Sequence, residues 1–78
     1  MTVTREADII GRTYAITATD SSIRVETGRH VVVGIEPAVV ANAATRALDL
    51  DPIAARLLLT AIRTTVDAAH RRSIARAA

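Results

Sequence analysis

The side chains able to do chemistry are few and scattered along the chain. A nucleophile needs a base within reach and a third group that orients the base. Ser21 and Ser22 follow Asp20 in a stretch with turn chemistry, which accounts for them. His70 falls on a polar helical face beside arginines, and His30 opens a strand. Neither histidine has a carboxylate at a spacing that would fix its tautomer. Asp49, Asp51 and His30 share no metal-ligand spacing, and the absence of cysteine removes thiolate sites and disulfides together. Gly11, Gly28 and Gly34 are isolated, and none sits in a glycine-rich loop before a helix. The expectation is a protein that is not an enzyme, with no cofactor, no metal and no small-molecule ligand.

What remains is charge and apolar surface. All ten basic residues are arginine, a usage that fits a GC-rich bacterial source. Arg63, Arg71, Arg72 and Arg76 gather toward the C-terminus, opposed by Asp67. Phosphate contacts need only such charge. A helix dipole also favours cations at that end. The formal net charge of +2 does not by itself demand a polyanion. Tyr14 is the only aromatic residue, so base stacking on single strands has little to work with. Duplex DNA is the nucleic acid that fits.

Seventy-eight residues make one domain near the lower limit of self-sufficient stability. The apolar half is mostly Ala, Val, Ile and Leu, and small side chains bury little area each. Association with another chain is the remaining source of stability.

The elements that position these residues follow from periodicity. Residues 1–11 have mixed polarity and read as an N-terminal arm or short strand. In residues 12–19, Tyr14, Ile16 and Ala18 alternate with threonines, the period of a half-buried strand. Ile23 to Thr27 alternates again, with Arg24 and Glu26 outward, and Gly28-Arg29 makes a tight turn. His30 to Ile35 is the third strand, with Val31, Val33 and Ile35 on one face and Val32 on the other. A strand apolar on both faces is usually covered on both, and a second subunit is the expected cover.

Pro37 opens a short helix with Glu36 before it. Its apolar face reads Val39, Val40, Ala43, Ala44, Ala47 and Leu48. Asp51 is the expected N-cap of a long helix that starts at Pro52 and runs to about Arg76. The stripe of that helix is Ala54, Leu57, Leu58, Ala61, Ile62, Val66 and Ala69, widened by Leu59. Arg63 and Arg71 flank Asp67 at four-residue spacing, a pattern that favours ion pairs. The fold class is α+β: a three-stranded antiparallel sheet, then a short and a long C-terminal helix, in a dimer. Residues 12–78 form the single β-β-β-α-α domain. The dimer interface is expected at Val31, Val32, Val33, Leu58, Leu59 and Ile62.

The segment Ile23 to Pro37, Ile-Arg-Val-Glu-Thr-Gly-Arg-His-Val-Val-Val-Gly-Ile-Glu-Pro, resembles the YbaB/EbfC family of small bacterial nucleoid-associated proteins. Alternating valines, a glycine turn, a further strand and an Ile-acid-Pro exit carry the likeness. Thr13 to Thr19 looks like the family's first strand. Leu57-Leu58-Leu59-Thr60-Ala61 looks like the final helix of its actinobacterial branch, some members of which are associated with type VII secretion. The family's long opening helix has no counterpart in residues 1–11. The resemblance implies a homodimer built around the sheets and sequence-tolerant DNA binding; a protein–protein adaptor that keeps the fold without DNA is the alternative. The start of the chain lacks the pattern of a signal peptide, and no apolar run approaches a membrane span. A cytoplasmic place is therefore expected, at the nucleoid if DNA is bound.

Overall fold

The computed structural model describes the backbone of residues 2–77 and the side chains of residues 2–71. Four strands precede two helices: β1 (Val3–Ile9), β2 (Arg12–Ala18), β3 (Ile23–Thr27), β4 (His30–Gly34), α1 (Pro37–Leu48) and α2 (Pro52–Ala77). The strands form one antiparallel meander in the order β1-β2-β3-β4. The α+β class, the antiparallel sheet and the two C-terminal helices agree with the sequence expectation. The sheet has four strands rather than three, because the segment read as an arm or short strand is a full edge strand. Val3 pairs with Ala18 and Ile9 with Arg12, so β1 runs the length of β2.

Two-residue turns set the register at two of the three corners. Ile10 and Gly11 join β1 to β2, both with positive φ, 48° and 75°. That sign pattern belongs to a type I′ turn, whose twist matches the strands it joins. Gly28 and Arg29 join β3 to β4, with positive φ at Gly28 alone among the two, as in a type II′ turn. The β2–β3 corner is closed by Thr19, whose Oγ1 accepts from the Ser21 and Ser22 N–H groups at 3.3 and 3.0 Å.

Both helices cover one face of the sheet, α2 over β1 and β2, α1 over β3 and β4. The core gathers Tyr14, Ile16, Ile23 and Val25 from the strands, Val40 and Ala44 from α1, and Leu58 and Ile62 from α2. Two buried threonines are satisfied by backbone carbonyls, one across strands and one within α2. Thr27 Oγ1 donates to Thr13 O at 2.8 Å, and Thr65 Oγ1 to Ala61 O at 2.9 Å. Asp51 caps α2 as expected, its Oδ1 accepting the Ala54 N–H at 2.8 Å. The buried face of α1 is Val40, Ala41 and Ala44, so Val39 and Ala43 turn to solvent. On α2, Leu57 lies outside the stripe and Thr65 lies within it.

Candidate functional site: an open apolar sheet edge

Backbone parity in the meander decides which groups remain free. A two-residue hairpin closes on a pair that exchanges both backbone hydrogen bonds, and bonded pairs then alternate with non-bonded ones. Thr27 and His30 close the β3–β4 turn, so Thr27–His30, Val25–Val32 and Ile23–Gly34 are the bonded pairs. Val31 and Val33 therefore point their N–H and C=O groups away from β3. No strand lies on that side among the described residues.

The same parity gives those two residues side chains on the sheet face that the helices leave open. Val31 is 48% exposed, Val33 63% and the following Ile35 78%. Val32 and Gly34 turn inward, and Val32 packs against the core from a half-buried position. One short strand thus carries exposed branched side chains and, among the described residues, unpaired backbone at the same positions.

The opposite edge differs. On β1 the outward backbone groups belong to Thr4, Glu6 and Asp8, by the parity that the Ile10-Gly11 turn imposes. Arg5 points to the helix-covered face at that edge and lines a hollow with Ala61, Thr64 and Thr65. Outward acids and an inward-facing charge are the usual means of blunting an edge strand. β4 has none of these: it reads His-Val-Val-Val-Gly, without acid, proline or lysine.

The residues expected at an interface separate in the structure. Val31 and Val33 are exposed, Val32 and Leu59 are half-buried, and Leu58 and Ile62 are fully covered by their own chain. Leu58 and Ile62 are core residues of one copy, because α2 lays them on the sheet. Ile35, Val39 and Leu57, which the sequence set on apolar faces without assigning them to the interface, are exposed, and so is Ile53. Helical and strand periodicity mark such residues as apolar without saying which layer covers them.

Of the four arginines expected to meet phosphate, Arg63 and Arg71 stand exposed on α2. The side chains of Arg72 and Arg76 lie outside the described residues. Asp67 forms no ion pair with Arg63 or Arg71 among the described residues, although the spacing favours both; Arg24 pairs with Glu26 at 3.2 Å. Arg56 is exposed on the same solvent face of α2. A second basic place lies at the turn end of the sheet, where Arg12, Arg29 and His30 border an open hollow of about 490 Å³ with Gly11, Gly28 and Leu48.

His30 and His70 are exposed, and neither is hydrogen-bonded to a carboxylate among the described residues. No three His, Asp or Glu side chains come together as metal ligands among the described residues. No described helix is long and apolar enough to cross a membrane. No protein-family model matches the chain, and neither a curated protein nor a solved structure is significantly similar to it.

Proposed function

We propose that this chain is a non-enzymatic association module that holds an extended stretch of polypeptide along β4. One observation carries the reading: Val31 and Val33 present free backbone groups and exposed apolar side chains together at a sheet edge. In strand addition, backbone hydrogen bonds supply affinity and alternate side chains supply selectivity. A chain of this size and composition also gains from any added apolar contact.

The test is a random-peptide display library panned on the immobilised protein, with a Val31→Lys plus Val33→Lys variant as the counter-target. Peptides with alternating apolar residues that bind the native protein and not the variant are the expected result. A protein that is single in solution and enriches no such peptide overturns the reading.

A second reading, contact with duplex DNA, is favoured by the arginines of α2. Arg56, Arg63 and Arg71 recur at seven- and eight-residue steps along the solvent face, without ion-pair partners among the described residues. Each seven-residue step spans about 10.5 Å on a helix. Such a stripe meets phosphates without reading bases. Binding of a short duplex that weakens steeply with salt is the expected sign of it.

A further inference from the structure

We infer that the polypeptide held by β4 is the β4 strand of a second copy, joined antiparallel about a two-fold axis through Val32. The inference rests on the association reading and names its partner. Val31-Val32-Val33 reads the same in both directions. An antiparallel pair centred on Val32 sets Val31 opposite the partner's Val33, and Val33 opposite the partner's Val31. Both residues point N–H and C=O outward, so both pairs are hydrogen-bonded ones and every free group between them finds a partner. The four valines then form a cross-strand cluster on the open face, the kind of pair that stabilises sheets. The two four-stranded sheets become one of eight strands.

Other pairings of these edges are worse. β1 against β1, centred on Glu6, sets like charges directly opposite each other. β1 against β4 is head-to-tail, leaves a free edge at each end and does not close. The β4 pair is the same patch on both copies and closes at two. It sets no like charges opposite each other within Val31 to Val33.

The absence of cysteine makes the geometry directly testable. Across the axis, Val32 faces the partner's Val32 in a non-hydrogen-bonded pair, with Cα atoms about 4.5 Å apart. That lies within disulfide reach, about 4.4–6.8 Å. Position 31 is offset from its own counterpart by two residues, about 7 Å along the strand before the gap between strands is added. Val32→Cys is therefore expected to give a disulfide-linked dimer under mild oxidation, and Val31→Cys to stay unlinked. Sedimentation of the native chain should give twice the 8.3 kDa of one copy. Val33→Lys, at an exposed position, should return it to one copy with its circular dichroism unchanged.

A native chain that stays single at every concentration overturns the inference. So does a dimer that links through Val31→Cys and not through Val32→Cys. A single chain that still captures displayed peptides through Val31 and Val33 removes the second copy and leaves the association reading standing. A single chain that captures none removes both.

Discussion

Gly34 and Val40 touch across the junction of β4 and α1. A Cβ built on Gly34 would stand 2.7 Å from Cγ2 of Val40, closer than carbon atoms pack. Val40 is fully buried in the core, so any yielding must displace its core neighbours. The missing side chain lets α1 lie directly on the end of β4. Gly34→Ala is expected to cost about 1–3 kcal/mol through overpacking. Val40→Ala removes the clash and leaves a void of its own. In the double variant the two costs should add to less than their sum. Urea denaturation of the four proteins measures that coupling, and strict additivity would show that the two residues do not bear on each other.

Ile10 is a branched residue held in the left-handed region, at φ 48° and 63% exposed. That conformation costs an L-residue roughly 1–2 kcal/mol, least for Asn and Gly. Type I′ turns prefer Asn-Gly, and Gly11 is already in place. Ile10→Asn is expected to stabilise the fold by about 1 kcal/mol. In a domain of this size that raises Tm by roughly 4–8 °C. An unchanged or lower Tm in a thermal scan would mean that the isoleucine makes contacts that offset its strain.

The same turn shows what the sequence left hidden. β2, β3 and the two helices were legible because Tyr14-Ile16-Ala18, Ile23-Val25, Pro37 and Asp51-Pro52 each carry a local physical signal. β1 reads Val-Thr-Arg-Glu-Ala-Asp-Ile, with strand formers at its ends and the disfavoured Glu6, Ala7 and Asp8 between them. It is a strand because the Ile10-Gly11 turn folds it onto β2, and an isoleucine is an unexpected residue for such a turn. Val3, Ala7 and Ile9 at even spacing were the available signal. Burial was legible in kind and not in layer. Leu57 and Leu58 are neighbours of one type, yet one is exposed and the other covered, because their directions on the helix differ by about 100°. Thr65 sits in the stripe, its hydroxyl satisfied by Ala61 O, which makes a polar letter behave as a core residue. The free edge at Val31 and Val33 depends on the pairing order of the whole sheet, which no local pattern states.

Leu58 and Ile62 separate core from interface in an experiment. Both are fully covered within one copy. Leu58→Ala and Ile62→Ala are each expected to cost about 2–5 kcal/mol. That is a large share of the stability of so small a domain. The loss should appear as unfolding in circular dichroism. Val33→Lys, by contrast, should change assembly and leave the fold intact. A folded, merely dissociated Leu58→Ala protein would return that residue to the interface.

Asp51 holds the start of α2 by a single acceptor, Oδ1 on the Ala54 N–H at 2.8 Å. Asp51→Ala leaves that N–H to water and is expected to cost about 1 kcal/mol. Asp51→Asn keeps an oxygen in the same place and should cost far less. If both variants melt with the native protein, the side-chain cap contributes nothing to the start of α2.

The arginines of α2 make a prediction that differs in kind, because charge on a duplex is read through salt. Each phosphate neutralised contributes about 0.9 to the slope of log affinity against log salt. Arg63→Ala plus Arg71→Ala should lower that slope by about 2 and weaken binding alike on unrelated duplex sequences. Arg24 is the control: it lies on the opposite side of the sheet from α2 and is already paired with Glu26. Arg24→Ala should leave the slope unchanged. Fluorescence anisotropy of a labelled duplex across a salt series decides the matter. Equal slopes for all three proteins would place any DNA contact elsewhere, with the hollow bordered by Arg12 and Arg29 the next surface to alter.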